Sequence, residues 1–430
     1  MNKTANGRDG VREVYMARKY LLVLGCGMQG KAVLDDLFYR AEPYRIVVAD
    51  NRPDLSDVLS RYSGSRVSGR NLDLTRRAEV RDLMADASVV VEALPPSFAL
   101  DVAKIAAEVG VSLVSSMYYV NPSETDPAAI QKARDDLELI NTEAAEKGIV
   151  ILPEFGLDPG IDLVIGAQAL RDVDRVHTFN SYGTGLPVPE HAANPLRYKF
   201  SWSVAGMLRA AKRPATIVRS GRVKEIPGHE IFRPENIHSI EIDELGGGLE
   251  CYANGSAAQY LDVFNLRDKV LEMGRYACRY PGHCAFWDRL ANSGFLNESP
   301  IRVGDAEVSP FDVTAAVLSG QDQFWFGPEE ADMAMVRVDL TGWSGTDPKR
   351  IVYQLIDRRD MRTGFTAMQR TVGYTMALGA RAILHGKLAR RGLLSPVEIP
   401  FELVESGLDD FGMRITRETL PWNTADGGVG

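Results

Sequence analysis

From Tyr20 onward, short runs of Val, Ile and Leu alternate with longer amphipathic stretches, the pattern of buried strands joined by helical crossovers. Strands are predicted at 20–24, 46–50, 88–92, 112–116 and 149–152, and helices at 30–39, 75–84, 97–109 and 126–147. Apolar runs this short and continuous suit a parallel sheet covered on both faces. Further apolar runs at 176–182, 216–223, 334–340 and 351–356 predict strands of a second sheet. The stretch 367–385 reads as a helix whose Gly and Ala content suits close packing, and the Gly246–Gly248 cluster reads as a turn. Residues before Arg18 carry little periodicity and are read as a mobile tail or a start-site artefact.

A chain of 430 residues, 45% hydrophobic and 25% charged, is a folded globular protein of two or three domains. Its net charge of −9 repels phosphate backbones, so a nucleic-acid partner is excluded. No apolar run approaches the roughly 18 residues of a membrane span, and the N-terminus lacks a signal-peptide core. The expectation is a cytoplasmic protein without membrane contact. Cys26, Cys251, Cys278 and Cys284 form no CxxC pair, so they are read as reduced and structural, and no metal site is predicted.

The first predicted strand runs into Gly25-Cys26-Gly27-Met28-Gln29-Gly30, a GxGxxG that then opens a helix. In that context Gly25 makes the tight turn, Gly27 lets the backbone approach a pyrophosphate, and Gly30 lets helix and strand lie close. The helix N-terminus offers unpaired N–H groups to the anion. Asp50, at the end of the second strand, stands where an acid accepts from the adenosine ribose of NAD; Asn51 and Arg52 follow it. Arg52 can pair with the extra phosphate of NADP, so the reading is NAD with NADP as the alternative. Asp73 is placed at the adenine edge or in a solvated turn. Ala93, Leu94 and Pro95 follow the strand 88–92 at its carboxyl end, and Ser115 stands one residue before the end of the strand 112–116. Both are included in the cofactor set.

Three strings then resemble the saccharopine dehydrogenase family: Gly156-Leu157-Asp158-Pro159-Gly160-Ile161-Asp162, the stretch Asn194-Pro195-Leu196-Arg197-Tyr198-Lys199-Phe200-Ser201-Trp202-Ser203, and Arg279-Tyr280-Pro281-Gly282-His283. The loop from Ser115 to Pro122 is a looser version of a further family motif. The resemblance spans about 19–394. It implies an α/β protein: an N-terminal Rossmann domain with a doubly wound parallel sheet (18–155), a second α/β substrate domain with a mixed sheet (156–365), and a C-terminal helical return to the first domain (366–430). A joint near 153–160 is expected to place the active site in a cleft.

The resemblance also implies an NAD(P)-dependent oxidoreductase acting on the CH–NH bond of an amino acid or amine, with a small-molecule substrate and a homo-oligomeric assembly, most simply a homodimer. Asp158 is the first candidate for a carboxylate beside the reacting nitrogen; it also suits the N-cap of a helix starting at Pro159. Tyr118 and Lys199 are further catalytic candidates, and Tyr119, Asn194 and His283 are candidates for substrate contact. His191 reads as solvated surface.

Departures from the family pattern concern the substrate. Saccharopine reductases carry Ser-Tyr-Cys-Gly-Gly where this chain has Ser181-Tyr182-Gly183-Thr184-Gly185. They also carry arginines where Ala205 and Gly255 stand. Two missing guanidiniums point to a substrate with fewer carboxylates than saccharopine, such as lysine or a related diamine or amino acid. Two other functions stay open: a synthase that condenses an amine with an aldehyde and reduces the imine, and a dinucleotide sensor without turnover.

Overall fold

The computed structural model describes residues 20–423 apart from 42, 63, 65, 123 and 125. The predicted tail lies outside the described residues. The chain forms two compact units: one runs to Val164 and takes up Gln369–Leu408, the other comprises Ile165–Met368 and the residues from Asp409 on.

The first unit is built on seven parallel strands: β1 (Tyr20–Leu24), β2 (Ile46–Asp50), β3 (Val67–Asn71), β4 (Ala87–Glu92), β5 (Ser112–Ser115), β6 (Val150–Leu152) and, from the returning chain, β17 (Gly392–Leu393). Their order is β17-β6-β5-β4-β1-β2-β3, all parallel. The central strands are buried and mostly apolar because helices cover both faces; Leu22, Leu24 and Val90 are fully buried. The sequence reading lacks β3, whose Val-Ser-Gly-Arg-Asn sequence is half exposed at the sheet edge.

Local signals set the helix ends. Asp126 accepts from the Ala128 amide ahead of Pro127, which starts the helix Pro127–Glu146. Gly110, at φ 69°, closes the helix Pro96–Val109. The late helix Ala367–Leu384 packs on the helix Met28–Arg40 that follows the glycine loop. At Gly373 an added Cβ would stand 2.6 Å from the Ala32 Cβ, so the backbones themselves approach. The Arg381 Nε donates to the Asp36 carboxylate at 2.9 Å nearby.

The second unit holds a nine-stranded mixed sheet. Its strands are β7 (Arg175–Pro187), β8 (Ala215–Arg219), β9 (Arg222–Ile226), β10 (Ile237–Ile242), β11 (Gly247–Ala253), β12 (Glu272–Arg279), β15 (Asp332–Ser344), β16 (Asp347–Arg358) and β18 (Ile415–Pro421). The main path is β10-β11-β12-β7-β15-β16-β18, with β8 on β12 and β9 on β8. A separate hairpin joins β13 (Ile301–Val303) to β14 (Ala306–Val308).

Three expectations change. The run 216–223 is a hairpin, because Ser220 and Gly221 take positive φ and turn the chain between β8 and β9. The segment 366–430 divides: β18 pairs with β16 of the second unit, while the chain up to Leu408 clusters with the first. Residues 156–164 also belong to the first unit.

Candidate functional site

In the first unit the strand order reverses between β1 and β4, the switch point at which doubly wound sheets hold ligands beyond the strands' carboxyl ends. Three glycines there do different work. Gly25 has φ 90°, and a Cβ on it would lie 2.5 Å from the Ala93 carbonyl oxygen. On Gly30 a Cβ would lie 2.0 Å from the Gly25 carbonyl oxygen. Around Gly27, the residue that caps the helix Met28–Arg40, a Cβ would meet nothing within 4 Å. Two glycines therefore close the turn, and the third opens space at a helix N-terminus. Met28 and Gln29 form the first turn of that helix; the Met28 carbonyl accepts from Gln369 at 3.0 Å.

Asp50 braces this loop from β2. Its carboxylate accepts from the Cys26 amide at 2.5 Å and from the Arg52 amide at 2.8 Å. The Arg52 guanidinium donates to the Cys26 carbonyl at 2.6 Å and lies on the Asp54 carboxylate at 2.6 and 2.8 Å. Asn51 is exposed. Asp73 sits in a solvated turn, accepting from the Thr75 amide and hydroxyl; those bonds hold its carboxyl below the usual range.

Beyond β4, Ala93 donates its amide to Leu24 at 2.8 Å, tying the β4 loop to β1; Pro95 then precedes the helix Pro96–Val109. Here lies a residue that the sequence reading did not single out. Glu92 is fully buried at the carboxyl end of β4. It accepts from the Leu94 amide at 2.9 Å and is hydrogen-bonded to the Ser115 hydroxyl across β5. Burial pushes its carboxyl up to about 7, against the lowering effect of these two donors. Tyr119, also buried, places its hydroxyl beside Ser115 and Glu92; burial first, and the nearby Glu92 charge second, raise its phenol well above the ordinary value. Tyr118 is half-buried in the same turn.

The segment after β6 is a closed loop. The Gly156 amide donates to the Pro159 carbonyl and the Ile161 amide to the Gly156 carbonyl, both at 3.0 Å. Gly160, at φ 143°, lies so close to Gly156 that a Cβ would be 2.2 Å from its carbonyl oxygen. A cis peptide joins Asp158 to Pro159. The helix begins at Ile161, two residues later than expected, because the glycine contact holds 156–160 in the loop. Half-buried Asp158 therefore does not cap a helix at Pro159.

In the second unit the string 194–203 is closed by its own bonds. Asn194 donates to the Tyr198 and Gln323 carbonyls and accepts from the Leu196 and Tyr198 amides. Lys199 is buried; its ammonium meets both Glu330 oxygens at 2.8 Å and the Trp325 carbonyl at 3.0 Å. His283 is buried among Tyr198, Phe232, Tyr252 and Trp287. Burial, and then the Arg279 charge, hold its imidazole well below the ordinary value, so it is neutral. His191 is not a free surface group: its Nδ1 accepts from the Ala331 amide at 2.9 Å. All four cysteines are buried and outside any disulfide, and the Cys251 thiol donates to the Cys278 Sγ at 2.9 Å. Among the described residues no cluster of His, Cys, Asp or Glu could hold a metal, and no helix is long and apolar enough to cross a membrane.

The sequence of the first unit matches the saccharopine dehydrogenase NADP binding domain over residues 21–152, and residues 156–414 match the saccharopine dehydrogenase C-terminal domain. The saccharopine dehydrogenase [NADP(+), L-glutamate-forming] of Saccharomyces cerevisiae is 24% identical, over 94% of this chain and 99% of that protein. The mitochondrial alpha-aminoadipic semialdehyde synthase of Mus musculus is 26% identical over 92% of this chain, which spans only 47% of that longer protein. Among solved structures, apo saccharopine dehydrogenase (L-Glu forming) from Saccharomyces cerevisiae shares the fold with a TM-score of 0.77 at 23% identity, covering 94% of this chain and all of that one. Homospermidine synthase from Legionella pneumophila, with a TM-score of 0.64 at 11% identity over 94% of this chain and 92% of that one, shares it as well. The chain belongs to the saccharopine dehydrogenase family, as a nicotinamide-dinucleotide-dependent oxidoreductase acting on CH–NH bonds.

Proposed function

We propose that the chain uses NADP to oxidise or reduce the carbon–nitrogen bond of an amino acid carrying fewer carboxylates than saccharopine. The observation that carries the cofactor half is the open space over Gly27, between two glycines that are sterically shut. A pyrophosphate fits there, against the amides at the start of the helix Met28–Arg40. A nicotinamide dinucleotide supplies a hydride acceptor or donor at that site.

The expected preference for NAD over NADP, in which Asp50 outweighs Arg52, is revised. Asp50 already holds the Cys26 and Arg52 amides, so it serves as a brace of the loop. Arg52, its side chain 24% exposed, pairs with Asp54, whose side chain is 51% exposed. Such a pair is worth about 0–1 kcal/mol. A 2′-phosphate exchanges for it at little cost and gains charge-assisted hydrogen bonds.

Asp158 is the proton-handling group in this reading, with Tyr118 as the alternative in the first unit. Lys199 is assigned to holding the second unit together through Glu330 and takes no part in proton transfer. Asn194 likewise shapes its loop, and His283 and Tyr119 wall their surroundings. The substrate assignment rests on Ala205 and Gly255, where the resembling reductases carry guanidiniums.

Fluorescence titration with NADPH and NADH tests the cofactor. Mixing the protein with NADP and a panel of amino acids and amines, while following reduced nicotinamide, tests the reaction. Saccharopine as the best substrate sinks the carboxylate argument; no turnover with any CH–NH compound sinks the reaction. Asp158→Asn should cut turnover by about two to four orders of magnitude while leaving dinucleotide affinity within about twofold. Unchanged turnover removes Asp158 from the chemistry.

A further inference from the structure

A carboxyl group without a cation is costly to bury, since it must be either neutralised or held by several donors. Glu92 is such a group. Among the described residues it forms no ion pair; its neighbours are the Leu94 amide on its own strand end, the Ser115 hydroxyl from β5, and the neutral phenol of Tyr119 beyond it. A glutamine of the same shape would bury at less expense. The position is also distinctive. Leu94 lies against the glycine turn, for a Cβ on Gly25 would stand 3.0 Å from the Leu94 side chain and 2.5 Å from the Ala93 carbonyl oxygen.

On the other side, Ser115 continues the connection. Its hydroxyl accepts from the Met117 amide at 3.0 Å, and its carbonyl accepts from the Phe155 amide at 2.9 Å. Phe155 opens the closed loop that carries Asp158, and the Glu154 amide donates to the Met117 carbonyl at 3.2 Å. One buried carboxylate therefore stands between the loop that receives the dinucleotide and the loop that carries the candidate proton-transfer group.

We propose that Glu92 is a positioning residue of this oxidoreductase: ionised, its carboxylate clamps the β4 and β5 loops together, and protonation loosens the clamp and weakens dinucleotide binding. As a carboxylate it accepts from Leu94 and Ser115 at once, with the added strength of a charged acceptor. As a neutral acid it must turn one oxygen into a donor, and both bonds become ordinary. The transition lies near neutrality because burial raises the group to about 7. The inference rests on the reading of residues 25–30 as the dinucleotide site.

The test is NADPH affinity by fluorescence from about pH 6 to about pH 8.5, for the whole protein and two variants, with thermal melts to confirm folding. Wild-type affinity should fall about tenfold as pH drops through about 7. Glu92→Gln should be weak and flat across the range. Ser115→Ala keeps the carboxyl but removes a donor that lowers its pKa, so its transition should move to higher pH. A wild-type profile that is flat, that rises at low pH, or that persists in Glu92→Gln overturns the clamp. If Glu92→Gln does not fold, the upward displacement in Ser115→Ala decides, and its absence overturns the proposal. Failure of the wild type to bind NADPH or NADH at any pH refutes the dinucleotide reading itself, and the clamp with it.

Discussion

The loop 25–30 and the string 194–203 are both long, specific patterns, yet the structure uses them in opposite ways. In the first, the backbone closes on itself at Gly25 and Gly30 and leaves room at Gly27. In the second, the polar side chains are consumed internally: Asn194 makes four hydrogen bonds to backbone groups, and Lys199 is bound by Glu330 and Trp325. A distinctive pattern can thus mark a site or the scaffold beneath one. What separates them is whether the polar capacity is left open or already satisfied.

The largest effect tests the open loop. Gly30→Val should prevent folding, because its side chain enters space held by the Gly25 carbonyl; failure to obtain folded protein is the expected result. Gly27→Val should fold with a melting temperature near that of the wild type, because its φ of −72° is ordinary and its surroundings are empty. It should lose NADPH binding by about a hundredfold or more, as the branched side chain fills the pyrophosphate space. Unchanged affinity in Gly27→Val would erase the contrast between the two regions.

The closed segment should break differently. Lys199→Met leaves Glu330 without its cation, and removing one member of a buried pair costs about 3–5 kcal/mol. Because Glu330 is 29% exposed, the loss should sit near or below the low end of that range. Chemical denaturation measures it, and dinucleotide affinity should not change. A variant of native stability that loses turnover would return Lys199 to the catalytic machinery.

Much of this was legible in the sequence where structure is set locally. The glycine loop is fixed by turn geometry and by a strand and helix on either side, so six residues suffice to recognise it. The same holds for Asp126-Pro127 and for Gly110. Features set by distant contacts were not legible. β3 presents polar residues at a sheet edge and shows no apolar run. The run 216–223 conceals a turn at Ser220-Gly221, whose two arms look like one strand. The start of the helix at Ile161 depends on Gly160 lying against Gly156. Glu92 reads as the polar end of a strand; only the Ser115 hydroxyl, 23 residues on, shows that it is buried and held.

Two buried acids sharpen the comparison at the level of charge. Glu92 in the first unit and Asp332 in the second are both raised by burial, to about 7 and about 6, from ordinary values of 4.5 and 3.8. Asp332 is held by the Ala367 amide at 2.7 Å, with the Met368 amide at 3.4 Å, and among the described residues forms no ion pair. An acid whose folded pKa is raised binds more protons folded than unfolded, so stability declines as pH rises between the two values. The window is 4.5 to about 7 for Glu92 and 3.8 to about 6 for Asp332. Each shift corresponds to about 3 kcal/mol. Melting at about pH 5 and about pH 8 should show Glu92→Gln and Asp332→Asn each gaining stability relative to wild type at the higher pH. A loss in Asp332→Asn alone would mean that its amide bonds require the charge, and that the two acids are not equivalent.

The smallest effect concerns Arg52, at the outer edge of the open loop. Its guanidinium is shared between the Cys26 carbonyl and Asp54, so removing it takes away a brace and, in the proposed NADP complex, a phosphate partner. The brace is a single hydrogen bond on a partly exposed group, worth about 0.5–1.5 kcal/mol, and the Asp50 contact to the Cys26 amide remains to hold the turn. The phosphate partner matters only to the cofactor that carries the phosphate. Arg52→Ala should therefore weaken NADPH by about tenfold and NADH by about threefold or less, a change in preference that reflects the lost charge-assisted bonds. Equal weakening of both would identify Arg52 as part of the scaffold, closed in the manner of Lys199, and Asp50 would again decide between the two cofactors.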